Sequence, residues 1–572
     1  MTSYTAPLQD IEFSLYEIAG LDSITDIPKY TDSTEDVVTA ILDAAASFTQ
    51  GVLSPLNQLG DQQGVKVIEG NVVTPTGFAD AYQQYIAGGW PSLPIASSSG
   101  GQGLPNLINA ATMEMVMGAN LAFSLCPMLT QGAIKTIEAY GNDHIKHTFL
   151  PKMTSGVWTG AMDLTESQAG SDLSAVNTQA TYDGTHYRIT GQKIFISWGD
   201  HDMADNVIHL VLARITDSPN GINGLSLFLV PKFLIEQDGS LGARNDITTV
   251  STEEKLGLHG SPTCVIAYGD NEGAVGYLLG EKNKGLSCMF TMMNHARINV
   301  GMQGLGLAER AFQQGAAYSL ERKQGGKAIR QYPDVERMVM LMQTGCSAMR
   351  SIIYLAIGLT DLSESTDENT ASSANKRLQL LTPIVKSWCT DLTQEITSLN
   401  IQIHGGTGFI EESGAPQYYR DARILPIYEG TNAIQANDFI SRKFLLDNGT
   451  ELEQLFDEMT TDIQKFSELP ELSLDANQLS NALGLAQECA NLVKKTHFQG
   501  KDWRIVACYF LDLNAYCISA WLMCKKAIIS HHQQETYGSR FSKRQLENSR
   551  FFINHYLPRS HALATSIKNI LN

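Results

Sequence analysis

The sequence has little positive charge for a protein that would bind nucleic acids through a basic surface. Lys and Arg number 41 and Asp and Glu number 60, which gives a net charge of −19 over 572 residues. Binding through phosphates requires clustered Lys and Arg side chains that neutralise the backbone charge. The deficit of basic residues therefore argues against a general nucleic-acid binder and favours an acidic enzyme.

The cysteines lack the spacing of a disulfide framework or of a metal site. Nine cysteines are scattered along the chain, and none forms a CxxC pair or a Cys/His ligand pattern. His144 and His147 lie on one predicted helix without a third ligand close to them in the sequence. We expect reduced thiols and no bound metal ion.

Long apolar runs and a targeting sequence are also missing. No uninterrupted run reaches the roughly 18 apolar residues that a membrane-spanning helix requires. Asp10 and Glu12 lie near the start of the chain, where a signal peptide would carry basic residues followed by an apolar stretch. These absences predict a cytoplasmic protein without an integral membrane segment.

The hydrophobic pattern along the chain predicts an α+β protein of several parts. Hydrophobic residues make up 43% of the sequence and charged residues 18%, as in ordinary globular proteins, and the length exceeds what one core normally supports. Apolar residues recur at helical spacing, then change to short β-branched and aromatic runs separated by turns, and then return to helical spacing. The predicted divisions are an N-terminal extension (1–35), a helical domain (36–157), a β domain (158–280), a helical bundle (281–446) and an additional C-terminal helical domain (447–572).

Two segments of the β region could contact a ligand where strands end. Residues 164–172 follow an apolar run with small and hydroxyl residues, which let a ligand approach the backbone closely. Residues 195–199 end a second run with an aromatic ring, a hydroxyl and a glycine, a combination that can stack on a ring system and form hydrogen bonds with it. Ordinary strand ends have similar compositions, so neither segment alone identifies a site.

The helical bundle carries two further segments and one predicted loop. Arg297 and Arg322 would lie about seven turns apart on one face of a long helix, if that helix is unbroken. Residues 402–409 form a glycine-rich helix end, and residues 420–435 place Glu429 after an apolar run and before a new helix. The polar stretch 361–375 predicts an exposed loop between two helices.

Taken in this order, these segments resemble the acyl-CoA dehydrogenase family over almost the whole chain. The likeness is greatest for longer members with an N-terminal helical extension and an extra C-terminal helical domain, in particular the 3-methylmercaptopropionyl-CoA dehydrogenase type. The resemblance implies an N-terminal helical domain, a middle β-barrel domain, a C-terminal helical bundle and the added helical domain. It also implies an FAD-dependent oxidoreductase of fatty acid metabolism and β-oxidation, a homodimer or dimer of dimers, with electron-transferring flavoprotein as electron acceptor.

The resemblance also implies roles for individual residues. Those implied to contact FAD are Met162, Leu164, Thr165, Gly170, Ser171, Phe195, Ile196, Ser197, Thr431 and Ala433. Those implied to reach FAD from a neighbouring subunit are Arg322, Gln324, Gln402 and Gly406. The path of the acyl-CoA would be lined by Ser171, Asn294, Arg297, Tyr428 and Gly430. Three positions depart from the family's pattern, because Ser167 replaces a proline, Asn294 an acid and Gly325 an aromatic residue.

Glu429 is implied to be the catalytic base. The α-proton next to a thioester is weakly acidic, so its removal requires a positioned base and stabilisation of the developing enolate oxygen. A carboxylate that loses water in a filled site becomes a better base, because desolvation raises its pKa. The β-hydrogen would leave as a hydride to flavin N5, which would give a trans-2-enoyl-CoA. Candidate substrates are 3-methylthiopropionyl-CoA and fatty acyl-CoAs.

Two other functions stay open on the sequence. An acyl-CoA oxidase would use the same base and flavin but pass the electrons to oxygen, and the sequence separates it poorly from a dehydrogenase. A flavin-containing DNA-associated protein would need a basic surface on the added C-terminal domain, where Lys and Arg outnumber the acids after residue 500. The strongly acidic whole disfavours the second alternative.

Overall fold

The computed structural model describes residues 4–572, which form two compact units that alternate along the chain. One of them, here called the helical unit, comprises residues 4–46, 110–118 and 297–572. The other, here called the sheet unit, comprises residues 47–109 and 119–296. The five-part division made from the sequence stays a prediction.

Helices account for much of both units. Their bounds in chain order are α1 (Leu8–Phe13), α2 (Leu21–Thr25), α3 (Glu35–Phe48), α4 (Ser54–Gln63), α5 (Phe78–Ala87), α6 (Asn106–Ala119), α7 (Leu121–Tyr140), α8 (Asp143–Thr154), α9 (Gly285–Glu321), α10 (Pro333–Leu362), α11 (Glu368–His404), α12 (Ala415–Ala422), α13 (Asn432–Asp438), α14 (Thr450–Ser467), α15 (Ser473–Phe498), α16 (Ala507–His532), α17 (Gln534–Tyr537), α18 (Ser539–His555) and α19 (Arg559–Leu571). Turns of π-helix extend three of these stretches, at Ser14–Ile18, Thr49–Leu53 and Phe439–Phe444.

Most of the strands belong to the sheet unit. Their bounds are β1 (Lys66–Ile68), β2 (Asn71–Val73), β3 (Trp158–Asp163), β4 (Gln179–Tyr182), β5 (Tyr187–Ser197), β6 (Asn206–Ile215), β7 (Leu225–Pro231), β8 (Phe233–Ile235), β9 (Leu241–Arg244), β10 (Ile247–Thr252), β11 (Thr263–Tyr268), β12 (Ala274–Leu279), β13 (Lys323–Gln324) and β14 (Lys327–Ala328). The last two form a short hairpin in the helical unit.

The main sheet closes into a small barrel, which confirms the predicted middle β-barrel. The ring runs from β5 through β12, β7, β6 and β4 and back to β5. β11 and β10 extend the sheet beyond β5, and β3 lies parallel to β6. Every residue of β7 and the first eight of β6 are buried. These near-continuous apolar runs are typical of strands that are covered on both faces.

Helix α7 packs directly against β3. A Cβ on Gly160 of β3 would lie 2.5 Å from the Cβ of Ala133 on α7, so only glycine permits this approach. The Gly160 N–H donates to Thr130 Oγ1 at 3.1 Å. The close contact fixes β3 and therefore the segment that follows it, where the residues predicted to contact a flavin begin.

In the helical unit, glycines bring α9 close to α11. A Cβ on Gly301 would lie 2.6 Å from Val385 Cγ1, and one on Gly304 would lie 2.7 Å from Thr393 Oγ1. Helix α9 is unbroken over Gly285–Glu321, as the spacing of Arg297 and Arg322 required. Arg297 of α9 and Lys386 of α11 both lie close to Gly430, in the turn that carries Glu429.

The predicted exposed loop between two helices is present but spans only residues 363–367, so the predicted extent of 361–375 was wrong. Helix α10 ends at Leu362 and α11 begins at Glu368, which leaves only five residues between them. Asp367 caps α11 by accepting the Thr370 N–H at 2.9 Å. The polarity of the stretch reflects the exposed first turns of α11, where most side chains face solvent.

Two helical stretches are long and apolar enough on average to span a membrane. Neither contains an uninterrupted apolar run of that length, so the sequence pattern did not predict them. They are Glu35–Gln63, with a mean hydropathy of 1.4 and a third of its apolar window buried (33%), and Arg504–His532, with a mean hydropathy of 1.5 and 78% buried. Polar residues such as Asn514 of the second stretch interrupt the apolar runs, but the mean hydropathy stays high. The second stretch has the burial of a core helix.

Candidate active site

Glu429 lies in a strained turn between α12 and α13. Its φ is +59°, and Gly430 follows at +86°, in a region that residues with a Cβ rarely adopt. Thr431 Oγ1 accepts the Ile434 N–H at 3.4 Å and so caps α13. The side-chain amide of Gln435 donates to the carbonyl oxygen of Glu429 at 3.2 Å. These bonds fix the direction in which the Glu429 side chain leaves the backbone.

The surroundings of Glu429 make it a weaker acid than an ordinary glutamic acid. Burial raises its pKa to about 7, while the positive charges of Arg297 and Lys386 act to lower it. The residue is only half-buried, so part of its surface stays accessible. A carboxyl group with a pKa near neutrality is suited to accept and later release a proton.

Arg297 reaches the same turn from α9. Its side chain is buried, and its Nη1 lies 3.9 Å from Asp438 Oδ2 of α13. A Cβ on Gly430 would lie 3.9 Å from Arg297 Nη2 and 2.8 Å from Gln435 Nε2. Burial lowers the pKa of the guanidinium, and the charges of Asp438 and Glu429 oppose that shift. The structure thus brings together Arg297, Gly430 and Glu429, three residues singled out in the sequence.

A buried lysine of α11 completes the surroundings of the turn, and the sequence analysis missed it. Lys386 is fully buried, and its Nζ donates to the Gly430 carbonyl oxygen at 2.8 Å and to Asn432 Oδ1 at 2.9 Å. The signal available in the sequence was a lysine inside the apolar run at 382–389, where an unpaired charge would be costly.

Tyr428 precedes Glu429 and is held by a side chain of α9. Its hydroxyl donates to Gln303 Oε1. Burial and the neighbouring charge of Glu429 raise the pKa of the phenol well above its usual value, so it stays neutral. This hydrogen bond fixes the ring of Tyr428 next to Glu429.

The sheet unit brings the ends of β3 and β5 together. The Ile194 N–H donates to the Thr165 carbonyl oxygen at 2.9 Å, and Lys193 Nζ donates to the Leu164 carbonyl oxygen at 2.9 Å. These bonds hold the segment after β3 along β5. The predicted flavin-contacting residues that share this edge are Met162, Leu164, Thr165, Phe195, Ile196 and Ser197.

The same edge offers open surface for a flat ring. Phe195 is 59% exposed and has a φ of +60°. A Cβ on Gly170 would have no atom within 4 Å, so the backbone there is accessible. The loop that carries Gly170 is closed by two backbone hydrogen bonds between Glu166 and Ala169, at 3.0 and 2.9 Å. An exposed aromatic ring beside open backbone suits a planar ligand.

A buried ion pair anchors this loop. Lys193 Nζ lies 2.8 Å from Glu166 Oε1, and both side chains are buried. Burial alone would raise the pKa of Glu166, but the charge of Lys193 and hydrogen bonds from Thr178 and Asn177 hold it at about 2. Since removing either partner would leave a buried charge, the pair fixes the loop beside β5.

A second cluster of exposed side chains lies in the helical unit, where α9 and α11 end. The rings of Tyr318 and His404 stack there with centroids 4.1 Å apart. The residues predicted to reach a neighbouring subunit, all exposed at this end, are Arg322, Gln324, Gln402 and Gly406. Phe409 is 87% and Leu320 is 64% exposed. Exposed apolar side chains of this size are typical of contact surfaces.

The remaining predicted residues lie on exposed parts of the two units. Ser171 is exposed on the loop after β3, Asn294 on α9 and Ala433 on α13. Their contacts with a cofactor or a substrate stay predictions.

Four family models match the sequence and together cover most of it. They are the acyl-CoA dehydrogenase N-terminal domain (residues 38–157), middle domain (161–270) and C-terminal domain (283–444), and an acetyl-CoA dehydrogenase C-terminal like domain (455–571). The last match lies in the segment predicted as an additional helical domain.

Proteins of known sequence and structure resemble the chain over most of its length. A 3-methylmercaptopropionyl-CoA dehydrogenase of Ruegeria pomeroyi is 45% identical over 458 residues, 78% of this chain and 77% of the relative. A butyryl-CoA dehydrogenase of Syntrophomonas wolfei is 30% identical over 97% of this chain and 95% of its own. The structure of Caenorhabditis elegans ACDH-11 in complex with C11-CoA shares the fold, with a TM-score of 0.79 at 21% identity over 97% of this chain and 93% of that one.

Proposed function

The chain belongs to the acyl-CoA dehydrogenase family, and on that premise we propose that it oxidises an acyl-CoA thioester to the trans-2-enoyl-CoA with Glu429 as the α-proton base. FAD is the cofactor. The observation that carries the proposal is a half-buried carboxyl group with a pKa of about 7, held in a strained turn. A carboxyl group that only stabilised a helix end would need neither property.

The exposed edge of the sheet unit fits an FAD ring. Phe195 offers an aromatic face, Gly170 leaves the backbone open, and Thr165 and Ser197 supply hydroxyl groups. When bound, FAD accepts the hydride that leaves the β-carbon. The residues that would hold it are Met162, Leu164, Thr165, Gly170, Ser171, Phe195, Ile196 and Ser197, together with Thr431 and Ala433.

Glu429 would take the α-proton of the bound thioester. Its backbone N–H would donate to the thioester oxygen, on which negative charge develops. Entry of the acyl group would remove water from the carboxylate and raise its pKa further, which makes it a stronger base. Tyr428, Gly430 and Arg297 lie around this carboxylate and would line the path of the substrate, with Ser171 and Asn294 as further candidates.

The names of the relatives narrow the choice of acyl-CoA substrate. The chain shares 45% identity with a 3-methylmercaptopropionyl-CoA dehydrogenase and 30% identity with a butyryl-CoA dehydrogenase. We therefore propose a short acyl group, with 3-methylthiopropionyl-CoA as the first substrate to test and longer fatty acyl-CoAs as the alternatives. We also propose electron-transferring flavoprotein as the electron acceptor, with the cytoplasm as the location.

The proposed base makes reduction of the flavin depend on pH. Glu429 must be ionised to accept a proton, and its pKa is about 7 before the acyl group enters and higher afterwards, so the rate should rise with pH and reach half of its plateau at pH 7 or above. Anaerobic mixing of the FAD-loaded protein with acyl-CoAs from short to long, followed by flavin absorbance, measures this rate. The rise of the rate on the acidic side of this profile is here called the acid limb. An acid limb with its midpoint near pH 4.5, the ordinary pKa of glutamic acid, would contradict the proposal.

The exposed end of α9 and α11 is proposed to complete FAD binding in a neighbouring subunit. Arg322→Glu replaces an exposed cation there and should weaken FAD binding by about tenfold or more, since a charge-assisted hydrogen bond contributes about 1.5–3 kcal/mol. Arg540→Glu makes the same charge change at an exposed residue of α18 and is the matched control. Titration with FAD and sedimentation measure the result. An FAD-saturated, active monomer would contradict the shared site.

A further inference from the structure

We propose that Lys386 is a positioning residue for Glu429: it ties the turn at Glu429–Gly430 to α11 and holds a positive charge beside the carboxylate. No role was implied for this residue by the sequence. The inference rests on the proposed function of Glu429 as the base. It is carried by the hydrogen bonds of the lysine and by the strain of the turn.

The bonds of Lys386 reach the turn and the start of the helix that follows it. Its Nζ donates to the Gly430 carbonyl oxygen at 2.8 Å and to Asn432 Oδ1 at 2.9 Å. The Asn432 side-chain amide then donates to the Ser387 carbonyl oxygen and to Thr390 Oγ1, both at 3.1 Å. The first residue of α13 and the residue that follows Glu429 are therefore both fixed to one turn of α11.

The turn needs such support because its backbone is strained. A residue with a side chain at a φ of +59°, as Glu429 has, is strained and persists only where surrounding bonds enforce it. Gln435 supplies one of these bonds, from α13 to the Glu429 carbonyl oxygen. Lys386 supplies the bond to the next carbonyl oxygen, from α11. Together they hold successive peptide groups of the turn.

The charge of Lys386 acts on Glu429 as well. Burial lowers the pKa of the lysine to about 8, while the charges of Asp391 and Glu429 favour its protonated form. In return, Lys386 favours the ionised form of Glu429, as Arg297 does. Tyr428 also faces Glu429. Other charged groups act on the neighbours of this pair: Asp438, Arg442 and Lys443 act on Arg297, and Arg423 and Asp512 act on Asp391.

A second buried lysine of the helical unit serves as a control. Its substitution shows what the loss of a buried lysine does away from the Glu429 turn. Lys526 of α16 is also fully buried, and its Nζ donates to Ser347 Oγ at 3.0 Å. Burial lowers its pKa to about 7, and the charges that act on it are those of Asp10, Arg350, Arg544 and Glu114. None of these is a residue of the Glu429 turn. Lys526→Met therefore removes a buried lysine elsewhere in the helical unit.

The test compares Lys386→Met, Lys386→Gln and Lys526→Met in the FAD-loaded protein. Anaerobic flavin reduction by the best acyl-CoA is measured across pH, beside thermal unfolding. Both Lys386 variants lose the charge, so their acid limb should move up by on the order of one pH unit. Lys386→Gln keeps an N–H donor for Gly430 and should retain more of the plateau rate than Lys386→Met. Lys526→Met should keep the wild-type acid limb, because its charge does not act on Glu429.

Either an unchanged acid limb in Lys386→Gln or an equal shift in Lys526→Met would overturn the proposal. If Lys386→Met does not fold, Lys386→Gln alone carries the comparison. Failure of the proposed function gives a different result, because Glu429→Gln would then still be reduced by substrate. An inert Glu429→Gln with an unchanged acid limb in the Lys386 variants leaves the base in place and removes only the role of Lys386.

Discussion

Glu429→Gln should lower steady-state turnover by about 10²–10⁴-fold while leaving the fold and FAD binding intact. Glutamine matches glutamate in size and can still form hydrogen bonds, but its amide cannot accept the α-proton. The half-buried position and the pKa of about 7 are what the carboxylate needs for this step. Turnover with an artificial electron acceptor measures the loss of activity. Denaturant unfolding of the FAD-loaded protein shows whether the fold is intact.

A simpler role for Glu429 gives a different outcome. A carboxylate near the start of a helix such as α13 stabilises it by about 0.3–1 kcal/mol. Were that its purpose, Glu429→Gln would lower stability slightly and keep its turnover. Glu412→Gln changes an exposed carboxylate between α11 and α12 and serves as the control, with wild-type turnover expected.

Gly430→Ala should slow flavin reduction by on the order of 10²-fold. Gly430 has a φ of +86°, where a Cβ costs roughly 1–2 kcal/mol. The new Cβ would lie 2.8 Å from Gln435 Nε2 and displace the amide that holds the Glu429 carbonyl oxygen. Since a shift of about 1 Å in a reacting group can cost this much rate, the loss should be in reduction more than in binding.

A matched glycine tests whether strain alone explains such a loss. Gly449 has a φ of +84°, and a Cβ there would lie 2.8 Å from Phe444 Cε2, in the turn before α14. Gly449→Ala should therefore lower the unfolding temperature about as much as Gly430→Ala and leave flavin reduction unchanged. Equal slowing in both variants would show that general strain, and not the position of Glu429, controls the rate.

The sequence was sufficient to predict the order of helical and β segments and to single out Glu429, Gly430 and Arg297, which the structure brings together. Apolar runs at β6 and β7 and helical spacing along α9 carried that prediction, because both periods are local properties. Glu429 was found because it lies in a recognisable segment next to Gly430. Arg297 was found in the same way, and its distance from Gly430 is a property of the fold.

Other features depend on contacts that no local pattern records. Lys386 lies more than forty residues from Gly430, so its hydrogen bond to that carbonyl oxygen follows only from the packing of α11 on the turn. The start of α11 was read as a loop because exposed polar turns and loops have the same composition. The closeness of α9 and α11 rests on Gly301 and Gly304, whose neighbours lie far away in the chain.

Anaerobic single turnover of Glu429→Gln shows directly whether this carboxylate takes the α-proton. FAD-saturated wild-type and variant proteins are mixed with the same acyl-CoA, and flavin absorbance is followed without any electron acceptor. We expect rapid bleaching of the wild type and almost none in the variant, because the α-proton then has no acceptor. Bleaching of the variant at the wild-type rate would rule out Glu429 as the base and point to another carboxylate.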